Sequence, residues 1–262
     1  RQRQMCIRDR YVGGIKRLIR KWIVSQCCRY WSNGPSSTEL LVAYGADPKL
    51  IDEGMTGIDT EEWTAKVRSF LPDRDAIREK WGLKGRVMLF SGSLTPRKGV
   101  LPLLRALEQW RSEGSEMEFT LLLLGDGNER GAVEEWRQRN PAIRVVMPGF
   151  VQPQDLPPFF AAADWAVLPT LDDNWPLATL ETLVAGLPQL FSCYNGATYD
   201  LCRSSTGISF DPLNPADFVR ALRGFEAVPD GRIPDEIVRE ISDYYSASGQ
   251  APVSYTHLRA HE

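Results

Sequence analysis

Histidine is scarce in this 262-residue chain, and both histidines, His257 and His261, lie at the C-terminal end. The body of the chain therefore offers no histidine base and no histidine ligand for a metal. Apolar runs long enough to span a membrane are also absent from the sequence. The cysteines form no Cys-x-x-Cys pair, so we expect no zinc site. We expect reduced, buried thiols in a cytosolic protein at Cys27, Cys28, Cys193 and Cys202.

The two ends of the chain are related at the level of DNA. Codons for Met5–Asp9 can be written ATG TGT ATA AGA GAC, and their reverse complement encodes Val-Ser-Tyr-Thr-His, the sequence of Val253–His257. We interpret residues 1–10 and 253–262 as translated sequencing-adapter DNA and exclude them from fold arguments. Without these tails the formal net charge changes from −3 to −6, because they carry five arginines and two acids. An acidic body disfavours binding to nucleic acid.

The first part of the remaining chain predicts only short elements. Residues 15–31 have apolar side chains at helical spacing with basic ones between them, which predicts an amphipathic helix with a basic face. A surface helix packed on a largely absent domain is favoured over a helix bound to a membrane. A short helix over residues 38–44 is expected next, capped by Ser36 or Ser37. Residues 50–59 are interpreted as a short strand and a linker.

From Asp73 onward, apolar strands alternate with helices. This pattern predicts an α/β fold with one doubly wound, Rossmann-like domain, because continuous apolar strands are typical of a parallel sheet covered on both faces. The expected strands are 87–90, 119–124, 144–147, 165–168 and 189–193. The expected helices are 75–81, 100–113, 130–139, 155–162 and one that carries Glu181.

Small and polar residues follow each of five expected strands. They are Ser91–Ser93, Gly125–Gly127, Gly149–Phe150, Asp172–Trp175 and Asn195–Gly196. Because the carboxyl ends of parallel strands meet at one edge of a sheet, we expect these loops to line one crevice, where the glycines let the backbone approach a phosphate or a base. Lys98 supplies a cation there, and Asp173 and Glu181 can accept hydrogen bonds from sugar hydroxyls. A solvent-facing Glu181 is the alternative.

Four segments occur in the order seen in family 4 glycosyltransferases, which are retaining enzymes of the GT-B fold. They are residues 90–99 (FSGSLTPRKG), 124–127 (LGDG), 148–151 (PGFV) and 173–188 (DNWPLATLETLVAGLP). The resemblance extends from about Ser36 to Tyr245. It implies a remnant of the N-terminal acceptor domain with its linker (11–65), a nucleotide-sugar-binding domain (66–230) and the start of the closing C-terminal helices (231–252).

The resemblance also implies roles for residues of the crevice. Asp173 and Glu181 match the catalytic acid pair, with Asp173 near the transferred sugar and Glu181 on the ribose hydroxyls. Lys98 matches the lysine that neutralises the donor diphosphate, and backbone N–H groups of Leu177 and Ala178 meet the phosphate. The other expected donor-binding residues are Gly92, Ser93, Arg97, Gly149, Phe150, Val151, Asn174, Trp175 and Pro176.

The chain departs from the family pattern at two of these positions. Ser93 stands where the family commonly has an arginine that binds the diphosphate, and Arg97 is the candidate to replace it. Asp173 is one methylene shorter than the usual glutamate. Both differences bear on how tightly a donor is held.

The activity implied is the transfer of a hexose-type sugar from a UDP-, GDP- or ADP-linked donor to an acceptor hydroxyl, with retention, in bacterial polysaccharide or glycoconjugate synthesis. No cofactor and no metal is expected, although Asp172 and Asp173 together resemble the acid pair of metal-dependent transferases. The acceptor, a sugar, a lipid-linked compound or another alcohol, is expected on the absent domain, so the chain alone should be inactive. The expected location is the cytoplasm or the cytoplasmic face of the membrane, and peripheral membrane association of the full-length protein stays open.

Two other classes of protein remain open. A noncatalytic GT-B-like partner subunit that binds nucleotide sugars is suggested by Ser93 and Asp173. A Rossmann dehydrogenase is disfavoured, because no Gly-x-Gly-x-x-Gly motif follows the first strand.

Overall fold

The structure, a computed structural model, describes residues 14–54, 57–227 and 231–246. Both adapter-like tails inferred from the sequence lie outside these residues. Residues 14–54 form a small N-terminal lobe, and residues 57–227 form a larger α/β domain against which the last segment packs.

The N-terminal lobe is built on a two-stranded parallel sheet. In chain order it contains α1 (Ile15–Ser25), β1 (Tyr30–Ser32), α2 (Pro35–Ala43) and β2 (Ile51–Glu53), and β1 pairs with β2. Val24 on one face of α1 is buried, whereas Ile15, Leu18 and Trp22 on the other face are exposed. The amphipathic pattern of α1 is therefore present, and its apolar stripe faces away from the described part of the lobe.

Two helix predictions for this lobe are wrong. The helix expected over residues 15–31 stops at Ser25, because the chain then turns back and forms β1. The helix expected over residues 38–44 starts earlier, at Pro35, since proline fits the first turn of a helix, where its missing N–H group is not needed. Its N-cap residue is Gly34 rather than a serine.

The four cysteines that the structure describes form no disulfide bond, and the expectation that they are buried is wrong. Cys27 and Cys28 lie in the turn after α1 and are exposed, and Cys193 and Cys202 are only half-buried. The turn is held by the hydroxyl group of Tyr30, which donates to a backbone carbonyl inside α1 at 2.7 Å and leaves both cysteine side chains outside the lobe.

The α/β domain alternates strands and helices along the chain. Its elements are α3 (Thr60–Ser69), α4 (Arg74–Trp81), β3 (Arg86–Ser91), α5 (Val100–Ser112), β4 (Phe119–Leu124), α6 (Arg130–Arg139), β5 (Arg144–Gly149), α7 (Pro157–Ala162), β6 (Trp165–Leu168), α8 (Leu177–Val184), β7 (Gln189–Ser192), α9 (Thr198–Leu201), β8 (Gly207–Phe210) and α10 (Pro215–Ala227). The final helix is α11 (Asp235–Tyr245). Six strands form one parallel sheet in the order β5-β4-β3-β6-β7-β8, which confirms the doubly wound α/β fold.

Both faces of this sheet are covered, which explains why its strands are continuously apolar. Alternate residues of β4 point to opposite faces: Leu121 and Leu123 pack with α5, α6 and α10, whereas Leu122 and Leu124 pack with α3, α4 and α7. Every residue of β4 is buried. The core therefore lies on both sides of the central strands and holds their carboxyl ends in a fixed arrangement.

Several elements were not expected from the sequence. α3 directly follows residues 57–59, called the inter-lobe segment here, is capped by the side chain of Asp59, and spans the predicted domain boundary at residues 65 and 66. β8 is an edge strand whose first three residues are only half-buried, so it lacks a continuous apolar run. β8 and α10 extend the sheet and one helical layer beyond the five strands that were predicted.

The segment before α11 is anchored by a half-buried arginine. The guanidinium group of Arg232 donates to the carbonyls of Ala185 at 2.5 Å, Phe160 at 3.0 Å and Ala161 at 2.7 Å, near the C-terminal ends of α7 and α8. Burial lowers the pKa of Arg232 to about 10, and the pKa still leaves the side chain charged at neutral pH. Carbonyls at helix ends lack donors within the helix, so a cation there satisfies them and holds α11 against the domain.

Candidate functional site

The strand order of the large sheet creates one point at which successive connections diverge. From β3 the chain proceeds outward through β4 and β5, and it then returns to the other side of β3 as β6. The loops that follow β3 and β6, residues 92–99 and 169–176, therefore leave the same edge of the sheet beside each other. Ligands of open α/β sheets bind in the crevice formed at such a switch point.

The loops on the β3, β4 and β5 side are joined by backbone hydrogen bonds. The N–H of Gly92 donates to the carbonyl of Leu124 at 2.9 Å. The N–H of Gly125 donates to the carbonyl of Gly149 at 2.8 Å. These bonds bring together three of the five loops that sequence analysis assigned to one crevice.

The loops after β6 and β7 join the same edge. The N–H of Leu171 donates to the carbonyl of Arg97 at 2.8 Å, across the switch point. Asp173 and Asn195 form a parallel bridge, and the N–H of Gly196 donates to the carbonyl of Asp173 at 2.9 Å. All five expected loops therefore meet at the carboxyl edge of the sheet.

Three glycines of these loops are required by the packing of the loops themselves. A Cβ atom on Gly125 would lie 1.9 Å from the carbonyl oxygen of Gly92, and one on Gly196 would lie 1.8 Å from that of Asn174. On Gly127 it would lie 2.3 Å from the carbonyl oxygen of Leu94. These glycines are required because neighbouring loops pack backbone against backbone, whether or not a ligand approaches them.

Lys98 and Asp173 meet across the switch point. The Nζ atom of Lys98 donates to Oδ2 of Asp173 at 2.7 Å, and Nη1 of Arg97 donates to the same oxygen at 3.1 Å. The side chains of Lys98 and Asp173 are 18% and 13% exposed, whereas Arg97 is 52% exposed. Two cations thus share the carboxylate of Asp173, and an anionic ligand that takes its place can accept from both.

The N-terminus of α8 opens beside this charge cluster. Pro176 is the N-cap residue, and α8 has no acidic side chain in its first turn. Among the described residues, no acceptor is found for the N–H groups of Leu177 and Ala178. Free N–H groups and the partial positive charge of a helix start are suited to a phosphate.

Glu181 lies on the second turn of α8. Its side chain is half-buried, and burial raises the pKa of its carboxyl group above the usual range for glutamate. Within the described part of the chain the carboxylate has no hydrogen-bond or ion-pair partner. A carboxylate withdrawn from water and left without a donor is suited to bind the hydroxyl groups of a ligand.

The other predicted site residues differ in how far they are exposed at the crevice. Phe150 is 68% exposed at the end of β5, Val151 packs partly into the core, and Ser93 and Asn174 are exposed. The side chain of Trp175 is buried against Tyr245, with ring centroids 5.5 Å apart. Trp175 therefore packs beneath its loop, and little of its indole is exposed at the crevice.

The contacts that hold α8 in place were not predicted from the sequence. The indole of Trp63 on α3 donates to the backbone of Glu181, and the side-chain amide of Asn195 donates to the hydroxyl oxygen of Thr179 at 2.8 Å. The capping pattern Asp59-x-x-Glu62 was a readable sign of α3. Nothing in the sequence indicated the partner of Trp63.

The described residues, 14–54, 57–227 and 231–246, contain neither a cluster of metal-binding side chains nor a membrane-spanning helix. These residues contain no group of three or more histidine, cysteine, aspartate or glutamate side chains arranged to hold a metal ion. No helix formed by them is long and apolar enough to cross a bilayer.

The sheet order and the loops at its switch point define a Rossmann-like α/β domain of the GT-B type. The chain belongs to the family described as "Glycosyl transferases group 1", whose family model matches residues 85–225. The sequence-based identification as a glycosyltransferase is thereby confirmed at the level of this family.

Curated relatives share about a quarter of their residues with the chain. It is 27% identical over 240 residues to the D-inositol 3-phosphate glycosyltransferase of Corynebacterium kroppenstedtii, covering 86% of this chain and 51% of the relative. It is 28% identical over 204 residues to D-inositol 3-phosphate glycosyltransferase 2 of Catenulispora acidiphila, covering 74% and 46%. The chain thus spans about half the length of the curated relatives it matches.

Solved structures share the fold at lower identity. HepE from Anabaena in complex with UDP-glucose superposes with a TM-score of 0.73 at 18% identity, covering 94% of this chain and 68% of HepE. A glycosyltransferase from Rickettsia africae superposes with a TM-score of 0.77 at 13% identity, covering 95% and 68%. At these identities the likeness concerns the fold.

Proposed function

We propose that this chain is the donor-binding part of a retaining, family 4 glycosyltransferase that moves a hexose-type sugar from a nucleoside-diphosphate sugar to an acceptor hydroxyl. The observation that carries the proposal is the pairing of Lys98 with Asp173 across the switch point, beside the free N-terminus of α8. A cation and free N–H groups suit a diphosphate, and Asp173 and Glu181 suit the hydroxyl groups of the two sugars on such a donor.

The donor would be held in three parts. The diphosphate binds Lys98 and the N–H groups of Leu177 and Ala178, with Arg97 supplying the second cation that Ser93 does not. The ribose hydroxyls bind Glu181. The base lies against Gly149, Phe150 and Val151, where the exposed ring of Phe150 offers an apolar surface.

Donor binding would exchange partners at the centre of the site. The ammonium group of Lys98 donates to Asp173 at 2.7 Å in the structure. An incoming diphosphate accepts from this ammonium group instead, and the carboxylate of Asp173 can then accept hydrogen bonds from hydroxyl groups of the transferred sugar. The bond between the anomeric carbon and the diphosphate oxygen breaks, and a bond to the acceptor oxygen forms on the same face. The acceptor proton passes to the departing diphosphate, whose charge Lys98, Arg97 and the start of α8 stabilise.

The proposal extends to the rest of the protein. Residues 11–65 belong to the acceptor domain and its linker, residues 66–230 bind the donor, and residues 231–252 begin the helices that return to the acceptor domain. The acceptor binds to the domain that this chain lacks, so the chain by itself transfers nothing. We place the full-length protein in the cytoplasm or at the cytoplasmic face of the membrane, in polysaccharide or glycoconjugate synthesis.

Calorimetric titration tests donor binding. We expect the folded chain to bind one of UDP, GDP and ADP, or one of the corresponding nucleotide sugars, weakly, because the site lacks the acceptor domain that would enclose it. UDP and UDP-glucose are tested first, since HepE is described in complex with each. Uridine without phosphate is the control and should bind far less. No heat with any nucleotide, from a sample shown to be folded, would contradict the proposal.

A noncatalytic partner subunit is the second candidate. It is favoured by Asp173, which is shorter than the usual glutamate and is held by two cations. A full-length protein that binds a nucleotide sugar but neither transfers nor hydrolyses it with any acceptor tested would support this candidate over the enzyme.

A further inference from the structure

Helix α3 connects the inter-lobe segment to the helix that carries Glu181. The side chain of Asp59, at the end of that segment, caps α3 by accepting from the N–H of Glu62 at 2.8 Å. At its start, the hydroxyl of Thr60 donates to the carbonyl of Ser242 on α11 at 3.1 Å. α3 is thus fixed at its N-terminus before it reaches α8.

Two side chains of α3 bind the backbone of α8. The indole Nε1 of Trp63 donates to the carbonyl oxygen of Glu181 at 2.9 Å, and the hydroxyl of Thr64 donates to that of Val184 at 3.0 Å. The indole stands edge-on to the ring of Phe160, with centroids 5.1 Å apart at 87°, so its N–H direction is set by packing. The bond of Trp63 is made to the same residue whose carboxylate lacks a partner.

The opposite face of α8 is fixed to the sheet by different groups. Thr179 accepts from Asn195 at 2.8 Å, and the hydroxyl of Thr182 lies 2.5 Å from the side-chain oxygen of Gln189. These contacts flank Glu181 in sequence but leave its own side chain without a donor. The position of the Glu181 carboxylate therefore depends on the backbone of its turn, and Trp63 is the side chain that holds that turn from outside.

We propose that Trp63 is a positioning residue that sets the Glu181 carboxylate for the hydroxyls of a ribose, and so determines how strongly the site prefers ribose to deoxyribose. The inference rests on the proposed function, because it takes the ligand of Glu181 to be the ribose of the donor nucleotide. A carboxylate displaced by a fraction of an ångström loses hydrogen-bond geometry, while the diphosphate contacts of Lys98 on the neighbouring loop are unaffected.

The test is the ratio of two affinities. Calorimetry gives the dissociation constants of the tightest binder among UDP, GDP and ADP, and of its 2′-deoxy form, for the wild-type chain and for Trp63→Phe. We expect the wild-type chain to prefer the ribonucleotide by about tenfold or more, since the 2′-hydroxyl donates to a charged acceptor. In Trp63→Phe, we expect the ratio to fall to about threefold or less with little change for the deoxynucleotide.

Trp136→Phe is the matched control, because the indole of Trp136 also donates a hydrogen bond, here to the side chain of Glu108 at 3.4 Å, but on the far helices α5 and α6. It should keep the wild-type ratio. Should Trp63→Phe not fold, benzothienylalanine at position 63 replaces the indole N–H group with sulfur in a ring of the same size, and a lowered ratio is again expected. A ratio that stays at the wild-type value in the folded α3 variant, while Glu181→Gln abolishes it, would overturn the role of Trp63 and leave the proposed function standing. Absence of nucleotide binding by the wild-type chain would overturn both.

Discussion

Replacing Lys98 with methionine is expected to weaken the binding of a nucleoside diphosphate by about a hundredfold. Methionine keeps a similar length of apolar chain but removes the ammonium group, and hydrogen bonds between charged groups contribute about 1.5–3 kcal/mol each, or roughly ten- to a hundredfold in affinity. The loss should lie near the upper end, because the side chain of Lys98 is mostly withdrawn from water. Calorimetric titration of the folded variant measures it.

The matched control is Lys80→Met, on the exposed surface of α4. This substitution removes the same charge away from the switch point. At physiological ionic strength salt screens distant exposed charges, so nucleotide affinity should stay within about twofold of the wild-type value. Equal losses in both variants would mean that Lys98 acts only through the net charge of the chain. That result would remove the assignment of the diphosphate to the loop after β3.

Glu181→Gln is expected to have opposite effects on binding and on stability. Glutamine keeps the shape of the side chain but offers a weaker, neutral acceptor, so the affinity for a ribonucleotide should fall by about tenfold. The free energy of unfolding should rise at neutral pH, since the variant no longer buries an ionised group without a partner. A gain in stability together with a loss of binding is typical of a residue kept for function.

The pH dependence of stability follows from the raised pKa of Glu181. Burial raises the pKa of the folded state above that of the unfolded chain, so the protonated form is favoured by folding. The stability contributed by this group is fully present below the unfolded pKa and is lost as pH rises through the folded pKa. The advantage of Glu181→Gln over the wild-type chain should therefore grow from acidic to neutral pH, as measured by denaturant unfolding. Glu135→Gln, on the exposed face of α6, is the control and should show no such growth.

The central strands and several helix ends could be predicted because local chemistry determines them. β4 was expected at its observed bounds, since five apolar residues and one threonine, all buried, are typical of a strand covered on both faces. The helix expected over residues 75–81 ends where predicted, at Trp81, and the next residue, Gly82, adopts a left-handed conformation with φ of 62°. β8 was missed because it is a short edge strand whose first three residues are only half-buried and include a glycine and a serine.

The details of the candidate site depend on contacts that are distant in sequence. Lys98 and Asp173 are 75 residues apart, and Trp63 and Glu181 are 118 apart. The motif order predicted that both acids belong to one crevice, but not that Lys98 and Asp173 are paired. The need for glycine at position 125 was equally unpredictable, because the carbonyl oxygen that a side chain there would hit belongs to Gly92, in another loop.

The central claim is that a nucleoside diphosphate binds across the switch point between β3 and β6. The most direct test is a crystal structure of the chain with the nucleotide that binds most tightly. The account predicts that the Lys98 ammonium group leaves Asp173 and contacts the diphosphate, that the phosphate meets the N–H groups of Leu177 and Ala178, and that the ribose hydroxyls lie within hydrogen-bond distance of Glu181. A nucleotide bound elsewhere, with the 2.7 Å pair of Lys98 and Asp173 intact, would contradict it.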